Sequence, residues 1–536
     1  FLFFLPFYIR KLFKKGKNMI KVKRALISVS DKKGLVAFVR GLVNLGVEII
    51  STGGTAKQLR DAGFVVKEVS EHTGFPEMLD GRVKTLHPKI HGGLLAVRDN
   101  PEHMKQVKDH QIELIDMVVV NLYPFESVTA KKNVSLEEAI ENIDIGGPSM
   151  LRSAAKNFKS VAVVCNPDRY EDVLKELQLN SGILSDTVLF SLAVEVFQRT
   201  AGYDQIISEF LAKRLSSEEF GLFAKNFSLK FSKVQDLRYG ENPHQKAAFY
   251  RDYHKEFGFG HMKQLHGKEL SFNNILDLNA AVDFVKGFFD PAAVIIKHNN
   301  PTGVSENKSL VKAYQEAFAC DPLSAFGGII GLNKAVDEKT AVAISKSGFM
   351  ECVIAPSFEK KAIEILGEKK NLRLIEFDFN GLEKEEYDFK KVYGGLLLQQ
   401  KDNVDLNKNE LKIVTKKKPT QAQMDSLLFG WKIVKHVKSN AIVLTKGKKV
   451  VGIGCGQTSR VESVEGAIRK AGKQAKGAVL ISDAFFPKTD NIHAMRKAGI
   501  AAVIQPGGSI ADAEIIKEAD KAKIAMVFTG IRHFKH

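Results

Sequence analysis

The run Lys297-His298-Asn299-Asn300-Pro301 places a lysine, a histidine and two amides directly after the apolar stretch Ala292–Ile296. That stretch is rich in β-branched residues, which is typical of a strand buried on both faces. Pro301 and Gly303 are expected to turn the chain at the carboxyl end of the strand, where open α/β sheets hold their chemistry. A desolvated lysine beside an imidazole offers an electrophile and a base near neutral pH. Local physics leaves open the alternative of a polar strand end without function.

A second group of residues suits a bound phosphate. Thr52-Gly53-Gly54-Thr55 follows one predicted strand and precedes a helix expected from Ala56, where backbone N–H groups attract an anion. Ser28, Ser30 and Lys32 end the neighbouring strand and are expected to face the same anion. Ordinary capping of the helix explains the hydroxyl groups equally well.

The loop that begins at Gly81 combines Arg82, Lys84 and His87. Arg82 suits a planar anion or carboxamide, and Lys84 suits a developing oxyanion. The alternative is a solvated basic loop, and we assign no catalytic role to His87 or to the nearby His91.

Two further polar positions precede or follow predicted elements. Tyr123 follows a buried strand, where its phenol can donate or accept a proton or merely cap the core. Asp144 precedes a helix that carries Arg152 and Lys156 four residues apart and therefore on one face. We expect a charge relay from Asp144 to Lys156; the alternative is a capping aspartate beside an exposed basic stripe.

The C-terminal part of the chain adds three weaker signals. The turn Gly452–Arg460 follows a strand but fails the dinucleotide fingerprint, because Gln457 occupies the place of the third glycine. The turn still allows close backbone approach, with Arg460 as an anion contact. Phe485 at a strand end suits stacking on a planar heterocycle, although core packing explains it too. For Arg532, near the C-terminus, the sequence by itself predicts only an exposed arginine.

Composition narrows the class of protein. The chain has 536 residues, with 79 Lys and Arg against 62 Asp and Glu and a net charge of +17. The lysines are scattered, and no spacing typical of nucleic-acid binding occurs, so small anionic molecules are favoured over nucleic acid. No apolar stretch approaches the ~20 residues that span a bilayer.

Motifs that are missing from the sequence exclude several enzyme classes. The four cysteines, at 165, 320, 352 and 455, form no CxxC pair, which argues for a reducing compartment and against a zinc ribbon. No GxxxxGK[ST] loop occurs, so ATP hydrolysis is not indicated. Signatures of zinc deaminases and metalloproteases are missing as well.

The elements that position these residues alternate between strand and helix, which predicts a parallel sheet covered on both faces. In the first part of the chain, strands are expected at Lys23–Val29, Val47–Ile50, Asp116–Leu122 and Ser160–Val164, with a helix at Leu35–Leu45. In the last part, strands are expected at Ala441–Thr445, Val450–Gly454, Ala478–Ile481 and Ala501–Gln505.

Changes in pattern suggest the domain organisation. A boundary is expected near residue 229, and a second α/β region begins with the segment 236–245. Residues 360–409 are charge-rich and are expected to form surface connections and peripheral strands, and residues 416–419 a linker. Residues 1–18 are expected to be a disordered or non-native leader, with Met19 as the natural start; the alternative is a short membrane-surface anchor.

Taken in order, SVSDK, STGGTAK, DGRVKTLHPKIHGG, NLYPF, IDIGGPSMLRSAAKN, LRYGENPHQ, KHNNPTG, DPLSAFGG, SNAIVLTK, GIGCGQTSR and DAFFP identify a resemblance. The chain resembles, over Met19–His536, the PurH family of bifunctional purine-biosynthesis enzymes, which join an IMP cyclohydrolase to an aminoimidazole-carboxamide-ribonucleotide (AICAR) formyltransferase. The resemblance implies a methylglyoxal-synthase-like parallel-sheet domain at 19–228. It also implies a formyltransferase region at 229–536 of two cytidine-deaminase-like subdomains without zinc, approximately 229–415 and 420–536.

The resemblance also implies roles for individual residues. In formyl transfer from the co-substrate 10-formyltetrahydrofolate, His298 would accept the amine proton, Lys297 would stabilise the oxyanion or protonate departing N10, and Asn440 would orient the site. The implied cyclohydrolase residues are Lys84, Tyr123, Asp144 and Lys156 as catalysts, Ser28, Lys32, Thr52, Gly54 and Thr55 as the phosphate cradle, and Arg82 and Thr85 as base contacts. The implied nucleotide contacts of the formyltransferase are Arg238, Tyr239, Asn274, Gly327, Glu351, Arg460, Phe485 and Arg532. The implied folate contacts are Asp490 and Asn491.

The family further implies a cytoplasmic homodimer with formyltransferase sites at the subunit interface, and no need for a metal, a membrane or nucleic acid. Two other functions compete with this interpretation. A methylglyoxal-synthase-like lyase would use only the first domain and would leave KHNNPTG and DAFFP without a role. A nucleotide-binding regulator, similar to the allosteric domain of carbamoyl-phosphate synthetase, would use Lys84 and Tyr123 for binding alone.

Overall fold

The computed structural model describes residues 20–129, 131, 133–212, 214, 223, 225–253, 255–382 and 387–536. The chain divides into two compact units, Phe1–Ser228 and Leu229–His536. The leader expected at residues 1–18 lies outside the described residues. Within the described ranges, no helix has both the length and the apolar character needed to cross a membrane.

The first unit is built on a five-stranded sheet in the order β3-β2-β1-β4-β5, with every neighbouring pair parallel. Its strands are β1 (Arg24–Val29), β2 (Glu48–Ser51), β3 (Lys67–Glu68), β4 (Met117–Asn121) and β5 (Ala162–Val164). Its helices are α1 (Leu35–Asn44), α2 (Gly53–Asp61), α3 (Val69–Thr73), α4 (Pro88–Leu95), α5 (Pro101–Asp109), α6 (Phe125–Thr129), α7 (Leu136–Glu141), α8 (Gly146–Lys156), α9 (Tyr170–Leu179) and α10 (Asp186–Ala212). The parallel sheet predicted from strand–helix alternation is confirmed.

Helix α2 begins earlier than its sequence pattern indicates. It was expected from Ala56, but it starts at Gly53, which has a φ of 56°. Glycine adopts such an angle without the clash that a side chain would cause. The two glycines therefore lie in the first turn of the helix rather than in a loop before it.

The second unit contains a twelve-stranded mixed sheet in the order β16-β21-β20-β19-β17-β18-β10-β9-β11-β12-β13-β8 and two separate two-stranded sheets, β6-β7 and β14-β15, so that the described residues of the unit form the sixteen strands given next. Its strands are β6 (Phe231–Leu237), β7 (Ala247–Asp252), β8 (Lys263–His266), β9 (Ala292–Lys297), β10 (Asn300–Glu306), β11 (Ile329–Leu332), β12 (Cys352–Ala355), β13 (Arg373–Glu376), β14 (Tyr387–Val392), β15 (Gly395–Gln400), β16 (Lys412–Ile413), β17 (Ile442–Lys446), β18 (Lys449–Gly454), β19 (Val479–Ser482), β20 (Ala502–Gln505) and β21 (Ala525–Phe528). Its helices are α11 (Phe272–Val285), α12 (Leu310–Cys320), α13 (Pro322–Ala325), α14 (Glu338–Lys346), α15 (Lys360–Gly367), α16 (Gln421–Val434), α17 (Arg460–Ala471), α18 (Asp490–Ala498) and α19 (Asp512–Lys521).

The large sheet consists of two halves with the same arrangement, joined where β10 and β18 pair antiparallel. Each half has an antiparallel hairpin, β9–β10 or β17–β18. The first strand of each hairpin also pairs antiparallel with the first of three mutually parallel strands, β11–β12–β13 or β19–β20–β21. The last residue of each first strand makes the same contact. Lys297 Nζ donates to the Phe326 carbonyl at 2.6 Å, and Lys446 Nζ donates to the Lys476 carbonyl at 3.1 Å.

A pair of glycines repeats between the halves as well. A Cβ on Gly303 would lie 1.9 Å from the Ala317 carbonyl oxygen, and one on Gly452 would lie 2.3 Å from that of Ala467. Only glycine permits so close an approach of strand and helix. The two halves therefore share one fold, which the sequence pattern had not revealed.

The turn after the apolar strand lies earlier than expected. His298 and Asn299 form it, and Pro301 and Gly303 belong to the antiparallel strand β10. The register of β10 shifts between Pro301 and Gly303, and such an irregularity is where a strand tolerates proline. The expectation of a turn at Pro301 and Gly303 was therefore wrong.

The segment 360–409 also departs from its expected peripheral position. Strand β13 lies within the large sheet, where Leu374 and Ile375 are fully buried, and helix α15 packs Leu366 into the same unit. Only β14 and β15 form a separate two-stranded hairpin. High charge here reflects the exposed faces of these elements and not a position outside the core.

Candidate active sites

A cavity of about 610 Å³ opens at the carboxyl ends of the central strands of the first unit. It brings together all but one of the residues predicted for this unit. Those that line it are Ser28, Lys32, Thr52, Gly54, Thr55, Arg82, Lys84, Thr85, Tyr123 and Asp144.

Two lysines converge on the first turn of α2. A Cβ added to Gly54 would lie 3.4 Å from Lys32 Nζ, and one added to Gly53 would lie 3.9 Å from Lys84 Nζ. The backbone at Gly53 and Gly54 lines the cavity at the positive end of the helix dipole. Two ammonium groups and a helix N-terminus at one place suit a phosphate.

The hydroxyl group of Thr55 has a different use from the one expected. It accepts the N–H of Val29 at 3.1 Å and donates to the Val29 carbonyl at 3.0 Å. The side chain is buried and holds the end of β1 against α2. Thr55 therefore shapes the cradle, and the part of it that remains for a ligand is its backbone.

Asp144 is held by backbone groups next to Lys84. Its Oδ1 accepts the N–H of Gly147 at 2.8 Å, and its own N–H donates to the Tyr203 hydroxyl at 2.9 Å. Burial raises the pKa of Asp144, and the N–H groups of Gly147 and Tyr123 and the charge of Lys84 oppose that rise. A carboxyl group whose pKa moves toward neutrality suits proton transfer.

Lys156 does not join this site. It is exposed at the last position of α8, whereas the cavity touches Gly146 and Gly147 at the first. The 11 residues of α8 separate the two ends by about 16 Å. The expected relay from Asp144 to Lys156 is therefore not formed within this unit, and Arg152 and Lys156 are the exposed stripe of the alternative interpretation.

Two residues of the cavity were missed from the sequence. Asn121 ends β4, and its Oδ1 accepts the N–H groups of Ser30 at 2.6 Å and Asp31 at 2.9 Å, which fixes the segment before Lys32. Glu141 lines the mouth and pairs with Arg82. An amide at the end of a buried strand was the available signal for Asn121, while no sequence pattern links Glu141 to Arg82.

Replacing Gly147 with alanine is expected to lower turnover in the cyclohydrolase reaction that the resemblance implies on the order of 10²-fold, because small misplacements of reacting groups have effects of that size. The new Cβ would lie 2.3 Å from Asp144 Oδ2, so the carboxylate must move. Alanine favours helix over glycine by about 1 kcal/mol, so loss of α8 cannot explain a slower enzyme.

The control for this change is Gly92→Ala on α4, where the nearest atom to the new Cβ is the flexible Ile112 Cδ1 at 2.9 Å. Steady-state rates on the pre-formed formyl nucleotide and thermal melts of both variants make the comparison. Equal rates for Gly147→Ala and Gly92→Ala would show that the position of Asp144 does not matter.

In the second unit, His298 and Asn299 form a tight turn between β9 and β10. Their φ angles are 54° and 60°, the left-handed values of a type I′ hairpin turn. For residues with a side chain this conformation costs roughly 1–2 kcal/mol each. His298 is exposed, and Lys297 beside it anchors its ammonium group on the Phe326 carbonyl.

The other half of the sheet places Asn440 near this turn. The N–H of Lys438 donates to Asn300 Oδ1 at 3.2 Å, which joins the turn to the segment before β17. Asn440 Nδ2 donates to the Gln457 carbonyl at 2.9 Å, and its Oδ1 accepts from Arg460 at 2.6 Å. The structure thus joins the hairpin that carries Lys297 and His298 to the segment that carries Asn440.

Arg460, which sequence analysis predicted to contact an anion, directs its guanidinium group into the protein. It is buried, and its Nη1 donates to Asp483 Oδ1 at 2.5 Å and to Ser482 Oγ at 2.9 Å. Its Nη2 supports Asn440. The guanidinium group of Arg460 is therefore engaged by partners within the protein.

The remaining predicted residues of this unit lie around the same two segments. The main-chain carbonyl of Asp483 accepts the N–H of His533 at 2.9 Å, which fastens the segment of Arg532 near the strand end that carries Phe485. Phe485 is 37% exposed, and Arg532 lies over the Phe534 ring at 4.5 Å.

Helix α18 begins with both residues that were predicted to contact folate. Asp490 is half-buried, whereas Asn491 is fully buried and donates to Asp490 Oδ1 at 2.7 Å. In this arrangement Asn491 supports Asp490, so the carboxylate is the more accessible of the two groups.

Three predicted nucleotide contacts lie at the start of α11 or on the loop joined to it. Arg238 stacks over Tyr239 at 5.0 Å, and their loop is joined to α11 by the hydrogen bond from Asn273 to the Glu241 carbonyl, 3.2 Å long. Asn274 caps α11 together with Ser271.

Gly327 has a φ of 71° and directly follows the carbonyl that holds Lys297. Glu351 pairs with the buried Arg373, so part of its carboxylate is already engaged. Gly327 thus lies at the candidate site, while Glu351 lies beside it through the contact of its N–H with the Gly328 carbonyl at 3.0 Å.

The folds and the two groups of residues define a two-site α/β enzyme, with an anion cradle in one unit and a lysine–histidine turn in the other. The family described as "AICARFT/IMPCHase bienzyme" matches residues 154–470, and the description "MGS-like domain" matches residues 34–149. The chain belongs to the AICARFT/IMPCHase bienzyme family. It is a bifunctional enzyme of purine biosynthesis, with AICAR formyltransferase and IMP cyclohydrolase activities, as the resemblance predicted.

Curated relatives are similar over nearly the whole chain. The bifunctional purine biosynthesis protein PurH of Thermoanaerobacter sp. (strain X514) is 55% identical over 514 residues. The proteins of the same name from Acetivibrio thermocellus and Bacillus subtilis (strain 168) are 54% and 52% identical over 518 and 516 residues. Each alignment covers 96% of this chain and 100% of the relative.

Proposed function

We propose that the second unit transfers a formyl group from 10-formyltetrahydrofolate to the 5-amine of AICAR, and that the first unit then closes the ring to form IMP. The observation that carries this division is the placement of the two candidate sites in separate compact units. Neither step needs a metal, because both are acyl and proton transfers that side chains can support.

In formyl transfer, the amine nitrogen bonds to the formyl carbon, the bond from that carbon to N10 breaks, and the amine proton ends on N10. His298 accepts the amine proton. Lys297 stabilises the oxyanion or protonates departing N10 from its position at the Phe326 carbonyl. Asn440, held by Arg460, orients the nucleotide.

In ring closure, the carboxamide nitrogen attacks the formyl carbon and one water molecule leaves. The cradle of Lys32 and the first turn of α2 holds the phosphate, and Arg82 and Thr85 contact the base. Lys84 stabilises charge on the formyl oxygen, and Tyr123 and Asp144 exchange protons with the reacting groups. The pKa of Asp144, raised by burial, supports its assignment to proton transfer.

The test uses the full-length chain with two substrates supplied separately. AICAR with 10-formyltetrahydrofolate should yield IMP, and the pre-formed formyl nucleotide alone should yield IMP without folate. A chain that cyclised the formyl nucleotide but never formylated AICAR would contradict the assignment of the second unit. Added chelator should change neither rate.

We also propose that the chain forms a cytoplasmic homodimer through its second unit. The β14–β15 hairpin carries apolar side chains that are exposed to solvent in the single chain, with Leu397 61% and Phe389 45% exposed. Patches of this kind favour protein–protein contact. Sedimentation equilibrium is expected to give twice the chain mass, and Leu397→Lys should shift the protein toward the monomer; a monomeric wild-type chain would contradict the proposal.

A further inference from the structure

Asp277 on α11 lies against the turn that carries His298. Its Oδ1 accepts the N–H of Asn299 at 2.6 Å, and its Oδ2 accepts the N–H of His298 at 3.3 Å. Both residues of the turn are therefore tied to one carboxylate. Sequence analysis assigned Asp277 no role, because nothing in its helix pattern indicates a partner on a distant hairpin.

The other half of the sheet offers an internal comparison. Lys297 corresponds in position to Lys446. The same difference in residue number matches His298 with Gly447 and Asp277 with Ser426. Both helices begin with the same cap, Ser271 with Asn274 in α11 and Thr420 with Gln423 in α16. The correspondence thus holds from the start of each helix to the end of each strand.

Ser426 occupies the same place but makes a different contact. Its hydroxyl donates to the Gly447 carbonyl at 2.9 Å, whereas the carboxylate of Asp277 accepts N–H groups from its turn. Gly447 has a φ of 63°, which glycine adopts freely. In the turn at Gly447, glycine therefore allows the left-handed conformation. In the turn at His298, contacts with the carboxylate of Asp277 support that conformation.

A carboxylate suits the catalytic turn for a chemical reason. His298 and Asn299 carry side chains in the left-handed conformation, and their two N–H groups point to the same side. Ionised aspartate accepts two N–H groups and donates none. Burial raises the pKa of Asp277, and the two N–H groups and the charges of His298 and Lys438 oppose that rise.

We propose that Asp277 is a positioning residue for formyl transfer, holding the His298–Asn299 turn in the left-handed conformation that presents the imidazole to the substrate. This inference rests on the function proposed for His298. Asp277 itself acts only through the turn, because both of its oxygens face backbone N–H groups.

The first test compares Asp277→Ala with Ser426→Ala in the full-length chain. Asp277→Ala is expected to lower kcat for formyl transfer on the order of 10²-fold with KM unchanged, because a displaced catalytic group has an effect of that size. Asp277→Asn, which keeps one acceptor and the volume, should lose less. Ser426→Ala removes the matching contact of the other half and should keep the wild-type kcat. Equal kcat for wild type and Asp277→Ala would overturn the proposal.

The second test separates positioning from general destabilisation. In a His298→Ala background, Asp277→Ala should cause no further loss, because residues that act through one another are not additive. Asn299→Gly should restore part of the kcat of Asp277→Ala, since glycine adopts the turn without support. A further loss in the first double variant, or no recovery in the second, would contradict the inference.

The outcomes also separate this inference from the function on which it rests. Formyl transfer that survives His298→Ala would refute the role of His298 itself. Formyl transfer that is lost in His298→Ala but kept in Asp277→Ala would refute only the role of Asp277.

Discussion

Formyl transfer is expected to fall by on the order of 10²–10⁴-fold when Lys297 or His298 is replaced by alanine, while cyclisation of the pre-formed formyl nucleotide stays intact. The reason is that the two residues lie on one hairpin of the second unit, whereas the cyclohydrolase cavity lies within the first. Rates of both half-reactions on the same preparation make the measurement.

The other half of the large sheet provides a matched control for the Lys297 variant. Lys446→Ala removes a hydrogen bond to a main-chain carbonyl that matches the one made by Lys297. Its strand position is the same, so its structural effect should be similar, but formyl transfer should stay near the wild-type rate. His261→Ala, an exposed histidine of the same unit, serves likewise for His298. Near wild-type formyl transfer in either site variant would make the assignment wrong.

Lys84→Ala is expected to stall the reaction after formylation, so that the formyl nucleotide accumulates and IMP formation falls on the order of 10²–10³-fold. Lys84 lies over the first turn of α2 and its charge acts on Asp144, and its removal takes away the cation proposed to stabilise the developing oxyanion. Chromatographic quantification of the nucleotides at fixed times measures both effects.

A structural explanation for such a loss is weak, because the contact of Lys84 with Glu77 at 3.4 Å is a partly exposed ion pair. Pairs of this kind contribute about 0–1 kcal/mol to the free energy of unfolding. Lys57→Ala, which removes an exposed lysine from α2, is the matched control and should leave IMP formation unchanged. Wild-type IMP formation by Lys84→Ala would refute its role.

Much of the first unit could be predicted from the sequence. Alternation of apolar strands with amphipathic helices indicated the parallel sheet, and strand ends with hydroxyls, glycines and lysines indicated the residues that line one cavity, Lys32, Gly54 and Lys84 among them. These features can be recognised in short segments of sequence. Their side chains come together because the carboxyl ends of adjacent parallel strands lie at one edge of the sheet. The same reasoning failed for Lys156, since spacing along a helix reports a shared face but not the distance between its ends.

The second unit depended far more on tertiary structure. The residue types of KHNNP indicated chemistry, but the position of the turn was decided by antiparallel pairing with Asn300 and by support from Asp277. The inward direction of Arg460 followed from a buried partner, Asp483, at the end of another strand.

By itself, then, the sequence determined which residues could react, the class of fold and the family, because these depend on residue type, short-range periodicity and motif order. Tertiary structure decided which polar groups face a ligand and which face the protein. It also showed that the two halves of the second unit repeat, with Lys297 and Lys446 in the same place. The physical reason is that hydrogen bonds between distant segments depend on how strands and helices pack, and periodicity along the chain carries no information about those partners.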